Sequence, residues 1–587
     1  MVQVLAVNFK RFHHPLSHYL DEFRVQLARP DAILPLSLLG MLAGMLAGLT
    51  IIALRLLVEW AQTLFYPGVP AEVYENLPSQ WRLLAPLLGG LVIGVLFRFT
   101  SETSHRVGVL HILERLAYFQ GRLPWRNALI QFFGGAISMI SGHSVGREGP
   151  SAHLGAASSN LPAQALALPN NSLRILAASG AAAGIAASFN TPLAGAAFAM
   201  EVLLMEYSVA GFAPVILATV SATTLTRAVF GHDLAYTVPS LSLGSLSELP
   251  YILLAGILIG LLATGFNQLF QLVSSQGQKL PVVLRLSVAG LLVGLCGLAV
   301  PEVMGIGDDT VNLMLLGEPG VGLLLAILLM KIIATCGGIG LGLPGGIIGP
   351  ALFIGAAAGG LLGSLGAMLG FYEFSSIGLY AMIGMGAMMA GVLQAPLAGL
   401  IAILELTGNP NFILPGMLGV VAATITSGYF GRRESIFQGL MRSLGLDYRN
   451  DPVAQSLRRV GVAGVMNRRV TVLPRHATVE KIDAALAEQP LWILVQEEDN
   501  PVVLLAAVDL VRTRKENPEL ESLDLRGFPG KRLQTAAVDI RATLHEAKEK
   551  MTTTGAEALY VISQTVPGLP RVYGVLTQED VESGYRY

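Results

Sequence analysis

Long apolar stretches, separated by short polar connectors, fill the chain from about residue 33 to about residue 430. The pattern predicts membrane helices over Ile33–Leu64 and Leu83–Phe99. Further apolar segments follow at Asn127–Ile140, Ser151–Leu161, Ser172–Phe189, Pro192–Met205 and Gly211–Val229. A polar loop, Gly231–Glu248, precedes a second series. That series runs through Tyr251–Leu272, Val282–Val300, Gly320–Thr335, Ala351–Leu369, Ile377–Leu393, Pro396–Leu406 and Pro415–Tyr429. Several segments are shorter than the ~20 residues a full crossing needs. Short, glycine-interrupted apolar helices predict broken or re-entrant elements. At membrane depth these are tolerated where they are buried in protein or line a cavity.

The two series repeat one another. Gly149-Pro150-Ser151-Ala152-His153-Leu154-Gly155 is echoed by Gly349-Pro350-Ala351-Leu352-Phe353-Ile354-Gly355. Pro192-Leu193-Ala194-Gly195 is echoed by Pro396-Leu397-Ala398-Gly399. Glu201 and Glu405 each stand nine positions past their proline. Gly134-Gly135 and Gly337-Gly338 precede the two blocks. Landmarks in the same order indicate an internal duplication, with repeats at about 33–230 and 250–445. Whether the repeats run parallel or inverted is not fixed by these matches. Repeated halves with broken helices are a transport architecture, with the site expected at the repeat interface.

Charge divides the chain. It is 53% hydrophobic and 13% charged, against about 25% charged in soluble domains. Residues 251–431 carry nine charged side chains and residues 454–587 carry thirty-five. The expected organisation is an N-terminal arm at 1–32, an all-α membrane domain at 33–450 and a small α/β soluble tail. The seven-residue, mostly apolar start is too short for a secretory leader. The basic arm (Lys10, Arg11, Arg24, Arg29) predicts a cytoplasmic N-terminus, shared by the tail if the crossings are even in number. Net charge −2 argues against a nucleic-acid partner. Cys296 and Cys336 lack metal-ligand spacing and are read as packing residues.

Candidate chemistry centres on Ser141–Pro150. Glu148 stands among glycines just before Pro150, at the start of an apolar run. Proline suits the first turn of a helix, so Glu148 is placed at a helix N-terminus, where free N–H groups attract anions. A carboxylate there can occupy the place of a mobile anion. The echo at Gly345–Pro350 predicts a second helix start facing the same point. Two such starts suit an anion that must also leave. Arg147 is expected to be structural or at the edge. Glu201 and Glu405 read as acids bonded to backbone at broken helices, His143 and His153 as packing or loop residues, and Asp308-Asp309 as a solvated loop.

These residues resemble a known family. Gly146-Arg147-Glu148-Gly149-Pro150 is similar to the GREGP signature of the CLC chloride channels and H⁺/Cl⁻ exchangers. Gly346-Ile347-Ile348-Gly349-Pro350 resembles its GxFxP element, and Glu405-Leu406-Thr407 its Glu-Leu-Thr element. The resemblance covers about residues 30–445. It implies inverted repeats, a homodimer with one pore per protomer, a bacterial inner-membrane location and Glu148 as the gate. It implies anion contacts at Gly146, Arg147, Gly149, Ile347, Ile348, Gly349, Val107, Gly108 and Phe437. Four departures stand out. Val107 replaces the family's central serine, Ile348 replaces a phenylalanine, and Phe437 stands where a tyrosine is expected. Val202 occupies the exchangers' inner proton-accepting glutamate position. Each lost hydroxyl donor removes ~0.5–1.5 kcal/mol of interaction. The expectation is therefore channel-like chloride transport with weak or no proton coupling. H⁺/Cl⁻ exchange is the alternative, with another acid such as Glu206 serving as relay.

The tail reads as two strand–helix–strand–strand units, 461–515 and 530–587, and resembles the paired CBS modules often attached to this family. In those modules a Thr and an Asp after the last strand can hold the ribose of an adenine nucleotide, and Thr577 and Asp580 fit that pattern, although a purely structural or dimerising tail is the preferred reading. No other cofactor or metal is expected. A CBS-regulated divalent-cation transporter and a nucleotide sensor are readings of a different class. No nucleophile–base pair or phosphate loop supports an enzyme.

Overall fold

A computed structural model describes residues 19–583 except 30, 71, 237, 239–240, 369–374, 447–451, 498–499, 518, 520, 528–529 and 564–571. The basic residues Lys10 and Arg11, much of the predicted boundary at 447–456 and Arg571 lie outside the described residues. Two compact units form. One comprises residues 37–163 and 174–448. The other comprises residues 1–36, 164–173 and 449–587.

The first unit is all-helical. Among the described residues of the chain, nine helices are long and apolar enough to cross a bilayer. The protein is a multi-pass membrane protein. Eight helices of the first half match eight of the second in order. Ile33–Phe65 matches Leu249–Gly277, Ser79–Arg98 matches Val282–Ala299, and Gly108–Tyr118 matches Asp308–Leu316. Trp125–Ile140 matches Val321–Gly338, and Glu148–Ala165 matches Ile348–Met368. Asn170–Phe189 matches Ile377–Leu393, Pro192–Phe198 matches Pro396–Thr407, and Val209–Phe230 matches Ile413–Phe430.

The echo extends to backbone geometry. Gly142 and Gly342 share a left-handed φ (+73° and +101°), as do Asn190 and Gln394 (+59° and +55°). The Gly-Gly pairs do not correspond in this way. Counterparts of Gly337 and Gly338, at the spacing set by Gly142 and Gly342, are Ile137 and Ser138. The two repeats are inverted and meet at an antiparallel bridge between Gly146 and Gly346.

Three helices escape a reading by hydropathy: Gly108–Tyr118, Asp308–Leu316 and Ile436–Ser443. Each is short and mixes charged or polar residues with apolar ones. Asp308 and Asp309 thus open a helix rather than lying in a loop, in the first turn where acids favour the dipole. Helices pack closely where glycine removes the side chain. Gly155 abuts the backbone of Gly180 and Gly184, and Gly355 that of Gly384.

The second unit carries a six-stranded sheet. Its strands are β1 (Val470–Pro474), β3 (Trp492–Glu497), β4 (Asn500–Ala506), β6 (Arg532–Asp539), β7 (Ala558–Ile562) and β8 (Val572–Thr577), in that spatial order. β1 pairs parallel with β3 and β3 antiparallel with β4. β6 pairs parallel with β7 and β7 antiparallel with β8. The register shifts at Val495 and again at Val561, the corresponding position. A small ladder of β2 (His476–Thr478) and β5 (Ser522–Asp524) adds a pairing that the sequence pattern does not show. Asn170, on the 164–173 connector of this unit, donates to the Glu546 carboxylate at 3.0 and 3.1 Å.

Candidate functional site

Helix starts converge in the first unit on a cavity of about 650 Å³. Its walls include exposed Glu102, Thr103 and Gln278, and also the wholly buried Glu148. The helix from Gly108 begins here, as do those from Glu148, Ile348 and Ile436. Gly108 has φ +74°, a conformation that glycine adopts without strain. Its N-cap, Val107, offers no side-chain acceptor, so the helix start is left open to an external anion. Phe437 presents a ring without a hydroxyl, and its helix is capped by Ser435.

Glu148 opens its own helix but bonds to the other repeat. Its Oε1 accepts from the Ile348 N–H at 2.5 Å. The carboxylate therefore fills the N-terminal end of the Ile348 helix, where an anion would be stabilised by free N–H groups and the dipole. Its Oε2 has no hydrogen-bond partner among the described residues. Gly146 and Gly346 flank the carboxylate, and a Cβ at either would collide with it. Gly349 lies at the same helix start, also against the carboxylate.

Of the residues named from the sequence, Val107, Gly108, Glu148, Gly149, Ile347, Ile348 and Phe437 line this cavity. Gly146 serves as a backbone bridge, exchanging bonds of 2.9 and 2.8 Å with Gly346. Arg147 lies outside the cavity lining. Its guanidinium pairs with Asp308 at 2.5 Å, lies 3.8 Å from Glu72 and packs over the Phe189 ring. Tyr236 completes this arrangement by donating to Asp308 at 3.0 Å. The carboxylates hold Arg147 because a buried guanidinium needs its charge matched.

Val202 is buried in the π-turn Ala199–Leu204, with no titratable atom. Glu206 accepts from the Ser208 hydroxyl at 3.3 Å. Glu201 accepts from the Leu397 and Ala398 N–H groups at 3.1 and 2.7 Å. Glu405 does the same for Leu193 and Ala194 at 3.0 and 2.8 Å. Each acid thus caps the proline-led helix of the other repeat.

Three groups escaped the sequence reading. His111 and His153, both buried, meet at 2.9 Å, and Arg115 donates to His111 at 3.1 Å. Lys331 is fully buried, donates to the Val303, Gly305 and Ile306 carbonyls, and sits over Phe353. Arg285 lines the cavity. Spacing gives no signal for the histidine pair, which comes from different helices. The cations stand out only as two of the nine charges in an apolar segment.

In the tail, Thr577 and Asp580 hold one another. The Thr577 N–H and hydroxyl both donate to Asp580 at 2.8 Å, capping the terminal helix Gln578–Ser583.

An inverted-repeat membrane fold with a carboxylate lodged between two helix starts defines a class of ion-transport protein. The voltage gated chloride channel family profile matches residues 89–428, and the chain belongs to this family. A chloride channel protein described as ClcB-like, from Ralstonia nicotianae, is 33% identical over 377 residues, covering 62% of this chain and 87% of the relative. The H⁺/Cl⁻ exchange transporter ClcA of Vibrio cholerae is 31% identical over 438 residues, covering 72% and 92%. Among solved structures, a slow cyanobacterial Cl⁻/H⁺ antiporter superposes with TM-score 0.61 at 23% identity, over 71% of this chain and 99% of that one. A eukaryotic CLC transporter superposes with TM-score 0.59 at 21% identity, over 93% and 98%.

Proposed function

We propose that the protein moves small anions, chloride first, across the membrane through a pathway gated by Glu148. The observation that carries this reading is the Glu148 carboxylate on the Ile348 N–H of the opposite repeat. As an anion the side chain competes for the helix start. Once protonated it no longer has the charge that the dipole favours, and a chloride can replace it. The open helix start at Gly108, and the Ile348 start once Glu148 leaves it, supply donors without a fixed cation holding the ion too tightly at the gate.

Transport is channel-like, with weak or no proton coupling. Val202 cannot accept a proton, and Val107 and Phe437 offer no hydroxyl to hold the ion. Exchange is the second reading, favoured by the relatives named as H⁺/Cl⁻ exchange transporters. Anion flux into liposomes with and without a pH gradient, for the native protein and Glu148→Gln, tests both. A channel's reversal potential ignores the proton gradient and an exchanger's follows it. Flux through Glu148→Gln should lose its pH dependence. Unchanged pH control would remove Glu148 as the gate.

The protein acts in this reading as a homodimer in the bacterial inner membrane, one pore per protomer, with both termini cytoplasmic. Its tail works as a CBS pair that takes an adenine nucleotide at Thr577 and Asp580.

A further inference from the structure

Duplication gives each repeat an arginine at the same place. Arg82 is the fourth residue of Ser79–Arg98 and Arg285 the fourth of Val282–Ala299. Each helix follows a proline N-cap, Pro78 or Pro281, with nearly identical backbone angles. The two side chains nonetheless end differently. Arg82 is anchored to backbone, donating to the Leu77 carbonyl at 2.8 Å and the Glu75 carbonyl at 2.5 Å. Arg285 has no such anchor among the described residues. Its Nε is buried without a hydrogen-bond partner, and it forms no ion pair among the described residues. The guanidinium lies along the loop that leads into the Ile348 helix. A Cβ at Gly342 would stand 3.3 Å from Nη2 and 3.6 Å from Cζ.

Arg285 also lines the cavity that holds Glu148. The other arginine there, Arg106, is ion-paired with Glu114. A partly buried guanidinium with spare donors is stable where something anionic visits, because unmatched buried donors cost free energy. We infer that Arg285 forms a second, recruiting anion site in the cavity, ahead of the Glu148 gate, for the same small monovalent anions. It raises the local anion concentration without holding the ion at the gate. This inference rests on the cavity being the anion pathway.

The test uses the full-length protein in liposomes, with initial chloride flux from the cavity side measured against chloride concentration. Arg285→Gln should raise the half-saturating chloride concentration about threefold or more, less than the ~10-fold or greater effect of a whole cleft lined by one sign of charge, because a single guanidinium is removed. The maximal rate should be nearly unchanged. Arg285→Lys should restore the native concentration dependence, since the charge is what matters. In the native protein, added impermeant salt should move half-saturation in the same direction by screening, and should do little to Arg285→Gln. A native-like half-saturation in Arg285→Gln would overturn the inference, and so would an Arg285→Lys as impaired as Arg285→Gln. Glu148→Gln is run alongside. If it keeps pH control, the pathway reading fails. If it loses pH control while Arg285→Gln behaves as native, only the recruiting site falls.

Discussion

Gly146 and Gly346 exchange a reciprocal pair of backbone hydrogen bonds, 2.9 and 2.8 Å long, across the interface of the two repeats. The bridge brings the Glu148 and Ile348 helix starts together, and the space over both glycines is taken by the Glu148 carboxylate. The gate is therefore held by absent side chains as much as by the hydrogen bond to Ile348.

Gly146→Ala follows as a gate-opening substitution. The three atoms nearest a Cβ at Gly146 all belong to the Glu148 side chain, whose flexible end can move away. The backbone there is free of a positive φ, so alanine fits without strain. The expected result is flux that is high and nearly independent of pH with the glutamate still present. Chloride flux from pH 4.5 to 7.5 checks it. A native pH profile would mean that the carboxylate stays lodged.

Glu201 and Glu405 each bind two N–H groups of the opposite repeat. Replacement by alanine leaves two helix-start donors unmatched, at a cost of about 1–3 kcal/mol per substitution. Glutamine keeps one acceptor oxygen and should cost about half as much. Thermal unfolding in detergent should show Ala below Gln below native at both positions, with matching sizes in the two repeats. A loss of pH-dependent flux without loss of stability would assign these acids to ion handling instead.

The duplication was legible in sequence because Gly-Pro and Pro-Leu-Ala-Gly landmarks are needed at turns and helix starts, where side-chain identity is constrained by backbone geometry. Glu148 was legible for the same reason. The direction of its bond was not, since nothing local says that a residue opening one helix will reach the start of another 200 positions away. The partners of Arg147, Asp308 and Glu72, were not legible because they are distant in sequence. The Gly108, Asp308 and Ile436 helices were missed because they are short and lack a continuous apolar run. Strands β1, β3, β4, β7 and β8 were visible as β-branched and apolar runs, while β2 and β5 are three residues each and carry no such run.

Asp308 should matter for stability rather than selectivity. It neutralises Arg147 and accepts from Tyr236, while Arg147 stays outside the cavity lining. Asp308→Asn leaves a mostly buried guanidinium short of charge, at an expected cost of about 1–3 kcal/mol. Chloride-to-bromide and chloride-to-nitrate flux ratios should stay at native values. A change in these ratios would place Arg147 on the ion path after all.

Thr577 and Asp580 supply a test of the tail. Their mutual hydrogen bonds are of the kind a ribose hydroxyl would share or replace. Equilibrium binding of ATP to the full-length protein should weaken about tenfold or more in Asp580→Asn, a loss in the range of a hydrogen bond to a charged group. No ATP binding to the native protein at millimolar concentration would leave the pair as a helix cap alone.

The tail also carries a pH-sensitive tie. Arg475 forks onto Asp524 with two contacts of 3.1 Å and reaches Glu497 at 2.5 Å, linking the β2–β5 ladder to β3. The hydrogen bonds from Arg475 lower the Asp524 carboxyl to about 2, from the ~3.9 of a free aspartate. A carboxylate whose folded value is depressed stabilises the fold fully above its unfolded value. That contribution is lost as pH falls from about 4 towards 2. Amide exchange in β2 and β5 of the full-length protein should therefore accelerate below about pH 4, and β7 amides should respond less. Asp524→Asn should show fast exchange already at pH 6, with little further change on acidification. Equal exchange in native and variant at pH 6 would mean that the ladder is held by its backbone pairing and not by this ion pair.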